Sequence, residues 1–112
     1  MKTIKKEIGS ALLITIEDKE ANLSNSDRFK ELVLEEVTKG SINLIVSFEN
    51  VEYLDSSFLG ALVAILKQLI PLKGKLTLIN LNGDILNLFE LTRLDKIFAL
   101  RSSLDVALLD YK

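Results

Sequence analysis

The chain has 112 residues, 48% of them hydrophobic and 27% charged, and a formal net charge of -2. That length supports one hydrophobic core rather than two, and the apolar share is far above that of a disordered tail. The sequence contains no His and no Cys, which excludes Ser-His-Asp and Cys-His catalysis, thiol redox chemistry, disulfides and an ordinary zinc site.

A near-neutral charge without a basic cluster argues against nucleic acid as a partner. No apolar stretch of signal-peptide length follows Met1-Lys2-Thr3-Ile4-Lys5-Lys6-Glu7. The longest near-continuous apolar run, Phe58 to Leu66, falls well short of the roughly 20 residues a bilayer-spanning helix requires. The expectation is a cytoplasmic protein with no membrane insertion.

Ile4, Ile8, Leu12, Ile14 and Ile16 lie on even positions around Gly9-Ser10, which predicts a hairpin or two short strands at one side of a sheet. A polar stretch, Asp18 to Ser26, precedes Phe29, Leu32, Val33 and Val37 at helical spacing. Ser24 and Ser26 are candidate N-caps for that helix, and Gly40 is its expected stop. Ile42 to Phe48 reads as a strand buried on both faces.

Asp55-Ser56-Ser57 introduces a second helix through Leu59, Leu62, Val63, Leu66 and Ile70, ended by Pro71 and Gly74. Leu76 to Ile79 predicts a strand. Leu81-Asn82-Gly83-Asp84 opens a helix with Ile85, Leu88, Phe89 and Thr92 on one face, and Ile97 to Leu100 reads as a short strand. Ser102 and Asp105 resemble a capping box for a last helix carrying Val106 and Leu109. The order β-β-α-β-α-β-α-β-α implies one α/β domain over residues 1–112, with about five strands, about four helices and right-handed crossovers.

The five glycines match neither a dinucleotide fingerprint nor a phosphate loop. Asp84, Glu90 and Asp95 fall in no acid/base or metal-ligand pattern and read as solvated faces and a turn. The exception is Asp55-Ser56-Ser57-Phe58-Leu59-Gly60-Ala61-Leu62, placed where free N–H groups and the positive end of a helix face outward. One role for Asp55 or Ser56 is an N-cap contributing about 1 kcal/mol. The other is phosphorylation of a serine. A phosphate there lies in the helix's positive field and adds about -1.5 to -2 charges to a docking surface without unfolding the domain.

Leu44-Ile45-Val46-Ser47-Phe48-Glu49-Asn50-Val51-Glu52-Tyr53-Leu54-Asp55-Ser56-Ser57, followed by Leu59-Gly60-Ala61-Leu62, resembles the central signature of STAS domains, and more narrowly the bacterial anti-sigma-factor antagonists. Gly74 to Asn80 and Leu88 to Phe98 resemble the family's next strand and its closing helix-turn-strand segment. The similarity covers Ile42 to Leu100 well and the first 40 residues loosely.

The resemblance implies a STAS-like mixed sheet and a non-enzymatic switch without cofactor or metal. It implies a partner that is both serine kinase and anti-sigma factor, bound by the unmodified antagonist and released when the serine after the motif Asp is phosphorylated. A PP2C-type phosphatase reverses the modification. The matching acceptor is Ser56, with Ser57 as the secondary candidate and Asp55 beside it. With no His and no evident base, the phosphoryl chemistry falls to the partner.

The chain departs from the family pattern at two places. Phe58 stands where the family usually has Gly, as either a docking knob or a core residue. Lys19 and Asn22 stand where the loop before the first helix commonly carries Gly and Asp. Asn22 keeps the size of Asp but not its charge, which bears on partner contacts there. Residues 21–66 hold seven acidic and three basic side chains, a balance that a basic partner surface complements, although Glu31, Glu35 and Glu36 read as a solvated helix face. The competing functions are an accessory subunit of a transport system or signalling scaffold without phosphorylation, and a nucleotide-binding protein. STAS domains occur alone and in assemblies, so the resemblance implies no oligomeric state.

Overall fold

The computed structural model describes residues 1–111. Gly9, at φ +60°, supplies the positive φ of a two-residue turn, which folds β1 (Thr3–Ile8) antiparallel onto β2 (Ala11–Ile16). Such a turn pairs even residues with odd ones: Lys5 lies opposite Ile14 and Ile4 opposite Thr15. The run of even-numbered apolar residues therefore splits, with Leu12, Ile14 and Ile16 on one face of the sheet and Ile4 and Ile8 on the other.

The chain continues through β3 (Glu20–Ala21), α1 (Ser26–Thr38), β4 (Asn43–Ser47), β5 (Tyr53–Leu54), α2 (Ser56–Leu69), β6 (Lys75–Ile79), α3 (Gly83–Leu91), β7 (Ala99–Arg101) and α4 (Leu104–Leu108). The main sheet has the order β1-β2-β4-β6-β7, parallel except for β1, as the alternation of strands and helices predicts. The chain thus forms a single α/β domain with a mixed five-stranded sheet and four helices. The predicted order omits β3 and β5, which form a separate two-stranded parallel ladder pairing Glu20 with Tyr53 and Ala21 with Leu54.

Helices α1, α2 and α3 cover one face of the sheet. Leu12, Ile14, Ile16, Leu44, Val46, Leu76 and Leu78 meet Phe29, Val33, Phe58, Leu62, Ile65, Ile85 and Phe89 there in one continuous core. The other face carries a smaller cluster in which Ala11, Ile45 and Ile79 meet Ala107 of α4. β4 is buried from both sides, as its unbroken apolar run predicts.

Several local expectations shift. The α1 N-cap is Asn25 rather than Ser24 or Ser26. Its side chain gives the helix no capping bond, because it accepts from the Asn22 amide and donates to the Glu20 carbonyl. Ser103, not Ser102, caps α4. The last strand begins at Ala99, leaving Ile97 exposed. Thr92 and Val106 are exposed as well, and Leu109 and Ile70 stand in turns of 3-10 helix outside α4 and α2, with Ile70 64% exposed.

After α2 it is Lys73 that adopts the left-handed conformation, at φ 59°. Gly74 is required for a different reason: a Cβ there would sit 2.5 Å from the Ile42 carbonyl oxygen.

Candidate functional site

The β5–α2 junction places Asp55, Ser56 and Ser57 at the start of a 14-residue helix. Asp55 is extended, at φ -107° and ψ 177°, the geometry of an N-cap, and its Oδ1 accepts a bond from the Phe58 amide at 3.1 Å. Its Oδ2 accepts a second bond, 3.0 Å long, from the backbone amide of Leu23 in the β3–α1 loop. The Asp55 amide in turn donates to the Ala21 carbonyl at 3.0 Å, extending the β3–β5 ladder by one step. Both carboxylate oxygens of Asp55 are thus used within the chain. Asp55 ties two loops together, a task its sequence position alone does not reveal.

Ser56 is the first helical residue and is exposed, while Ser57 is partly buried. The neighbouring N–H groups and the summed helix dipole make this the electropositive end of α2. Phe58 turns the opposite way. It is 0% exposed, its ring tilted against that of Phe29 with centroids 4.8 Å apart and meeting Phe48 edge-on at 6.4 Å. In this structure Phe58 is a core residue and offers no surface to a partner. A ring two residues after Ser56 has the buried face of α2 available to it, and three aromatics filling one space account for its retention there.

Asn22 lies in the loop that Asp55 anchors, but its side chain is turned inward on its own turn. Its Oδ1 accepts from the Ser24 amide at 3.0 Å and from the Ser24 hydroxyl at 2.6 Å. This Asx-type turn presents the next residue, Leu23, to solvent at 73% exposure. The loop that the sequence flagged through Asn22 therefore reaches the site through Leu23. Lys19 supports the same region by its backbone, with its carbonyl accepting from the amides of Glu52 and Tyr53.

A groove of about 430 Å³ opens beside Ser56, lined by Glu52, Tyr53, Leu54, Asp55, Asp84, Ile85 and Leu88. Asn82 fixes its far wall. The Asn82 Oδ1 caps α3 by accepting from the Ile85 amide at 2.9 Å, while its Nδ2 donates to the carbonyls of Val51 and Glu52 at 3.3 and 3.2 Å. Asp84, which the sequence left as a solvated residue, thereby shares one rim with Glu52. The signal for this was the N-cap Asn82, read from the sequence only as the start of a helix.

The residues singled out from the sequence are thus brought to one end of the sheet, with Ser56 outermost, Asp55 as the tie and Phe58 beneath. No helix among the described residues is long and apolar enough to cross a membrane.

Residues 2–107 match the STAS domain family model. A Thermotoga neapolitana protein, named as homologous to a candidate anti-sigma factor antagonist, is 31% identical over 98 residues, covering 87% of each chain. The crystal structure of a candidate anti-sigma factor antagonist from Thermotoga maritima superposes with a TM-score of 0.92 and 28% identity, covering 96% of this chain and 92% of that one. The phosphorylated form of the Bacillus cell fate determinant SpoIIAA shares the fold at a TM-score of 0.75 and 15% identity, covering 99% of this chain and 100% of that one. Matched by the family model over residues 2–107 and by these relatives, the chain belongs to the STAS domain family, on the branch of the anti-sigma factor antagonists.

Proposed function

We propose that this protein is a phosphorylation-controlled antagonist. Unmodified, it binds a serine kinase that is also an anti-sigma factor; phosphorylated on Ser56, it lets that partner go. The observation that carries this reading is the exposed hydroxyl of Ser56 on the first residue of α2, backed by a rigid aromatic core. In the transfer, Ser56 Oγ attacks the γ-phosphorus of ATP. The bond to the β–γ bridging oxygen breaks, ADP leaves, and the hydroxyl proton passes to a base on the kinase. A PP2C-type phosphatase returns the serine by hydrolysis. On this reading both proteins work in the cytoplasm, where ATP is supplied.

The helix supports the modified state as well as the unmodified one. A phosphate on Ser56 sits at the positive end of α2, which offsets repulsion from Asp55, whose oxygens already accept two amide bonds. The fold therefore need not open for the switch to act. Release follows from the added charge and bulk meeting groups that the partner closes over Ser56.

The test is phosphopeptide mapping of the protein from its own cells, growing and starved, alongside binding to the co-purified kinase. Phosphate on Ser56 with condition-dependent occupancy is expected. Ser56→Ala should fold normally and bind constitutively, while Ser56→Asp should fold normally and bind weakly. Unmodified Ser56 in every condition would reduce it to a helix residue and favour an accessory-subunit role instead.

A further inference from the structure

The groove beside Ser56 has a composition that selects its occupant. Its walls are the side chains of Tyr53, Leu54, Ile85 and Leu88, and its acidic groups are Glu52, Asp55 and Asp84, with no Lys or Arg among the lining residues. The ion pairs of the described residues, Lys5–Glu36, Arg28–Glu31, Lys39–Glu36 and Arg101–Asp110, all lie elsewhere. Glu52 and Asp84 are both exposed, and among the described residues neither is in an ion pair. Asp55 adds charge from behind, its oxygens engaged with the amides of Phe58 and Leu23.

The occupant is not a compact ion. Among the described residues no three acidic groups approach closely enough to hold a metal ion. The acidic residues share the groove with the apolar Leu54, Ile85 and Leu88 and with Tyr53, which is 56% exposed. An aromatic face flanked by separated carboxylates fits a flat, delocalised cation. Such a cation stacks on the ring and donates hydrogen bonds outward in its own plane, as a guanidinium does and an ammonium does not.

We propose that this groove receives an arginine side chain of the protein partner that docks over Ser56, with Leu23, 73% exposed on the neighbouring loop, as the apolar contact beside it. The proposal rests on the reading that Ser56 faces a protein partner. It adds where that partner is gripped and by what chemistry. A guanidinium in the groove is attracted by negative charge on Ser56 rather than expelled, so the grip and the switch are separate elements. Modification must release the partner through the other groups packed over Ser56.

The test is a titration of the full chain with N-acetyl-argininamide, followed by amide NMR shifts, with the neutral isostere N-acetyl-citrullinamide in parallel. Saturable shifts are expected at Tyr53, Asp55, Ile85 and Leu88. Binding should weaken with added salt and be at least about five-fold weaker for the citrulline compound. The double variant Glu52→Gln, Asp84→Asn alters two exposed positions and should keep the amide spectrum of the fold while losing about five-fold in affinity. Tyr53→Leu should lose about two-fold or more.

Equal binding of the two compounds, or shifts scattered over the surface and indifferent to these variants, would overturn the groove and leave the Ser56 switch untouched. An unphosphorylated Ser56 with intact argininamide binding would do the reverse.

Discussion

On the sheet face that carries α1, α2 and α3, Phe29 and Phe48 both meet the Phe58 ring beneath the site. The opposite face is held by other means. Its helix, α4, has five residues and buries Ala107 in a cluster with Ala11, Ile45 and Ile79. Polar contacts complete the attachment. The Tyr111 hydroxyl donates to the Leu44 carbonyl at 2.6 Å and lies 2.9 Å from Thr77 Oγ1, and Arg101 Nε meets Asp110 Oδ2 at 2.9 Å. Lys75 Nζ lies 5.5 Å from the centre of the Tyr111 ring.

A buried aromatic contributes several kcal/mol and a hydrogen bond about one. The comparison therefore assigns rigidity to the face that presents Ser56 and a weaker attachment to the chain's last helix. A surface on which a partner closes benefits from the stiffer backing, because less ordering remains to be done on binding.

The sharpest way to break this contrast is Phe58→Ala. It should cost about 3–5 kcal/mol, read as a lowered urea midpoint with an unchanged slope. A loss below about 1 kcal/mol would mean that the ring is not rooted in the core.

Gly74→Ala comes next. The new Cβ would press on the Ile42 carbonyl oxygen at 2.5 Å and on Leu69 Cδ2 at 2.9 Å, and backbone cannot move aside cheaply. About 1–3 kcal/mol is expected in the same denaturation experiment.

Asp55→Ala removes two amide bonds at once and should cost about 1–2 kcal/mol. Its signature is faster hydrogen exchange at the Leu23 amide, which a simple cap would not produce. Unchanged exchange at Leu23 would sever the proposed tie between the loops.

Tyr111→Phe probes the thinner face and should have the smallest effect, about 1 kcal/mol at neutral pH. Burial raises the Tyr111 pKa above the ordinary 10.0 in the folded chain, opposed by the Thr77 hydrogen bond. Folding then favours the neutral phenol, and that contribution is present below pH 10 and lost as pH rises through the folded value. The stability difference between the two proteins should stay flat through neutral pH and diverge from that value above about pH 10, as read by denaturation in alkaline buffers.

Much of this molecule was legible in residue order. The five strands of the main sheet and the helix introduced by Asp55 were read correctly in kind and order, because period and capping depend on neighbours within four residues along the chain. The resemblance to the STAS family added the expectation that Ser56 is a phosphoacceptor.

What escaped depends on contacts that chain order does not contain. The β3–β5 ladder joins Glu20 to Tyr53 through two-residue strands too short to show a period. The parity change at Gly9 moved Ile4 and Ile8 away from the face that their even numbering suggested. Phe58 could be a knob or a core residue until Phe29 and Phe48 were seen around it. The second oxygen of Asp55 found its partner 32 positions away, and Glu52 and Asp84 came to share a groove only because Asn82 bonds across to Val51 and Glu52. The sequence by itself determined the main-sheet strands, the four helices, their order and the serine at the start of α2, since those follow from local periodicity and backbone capping. Which loops meet at that serine, and what charge surrounds it, was decided by tertiary packing, since those contacts join segments some 30 residues apart.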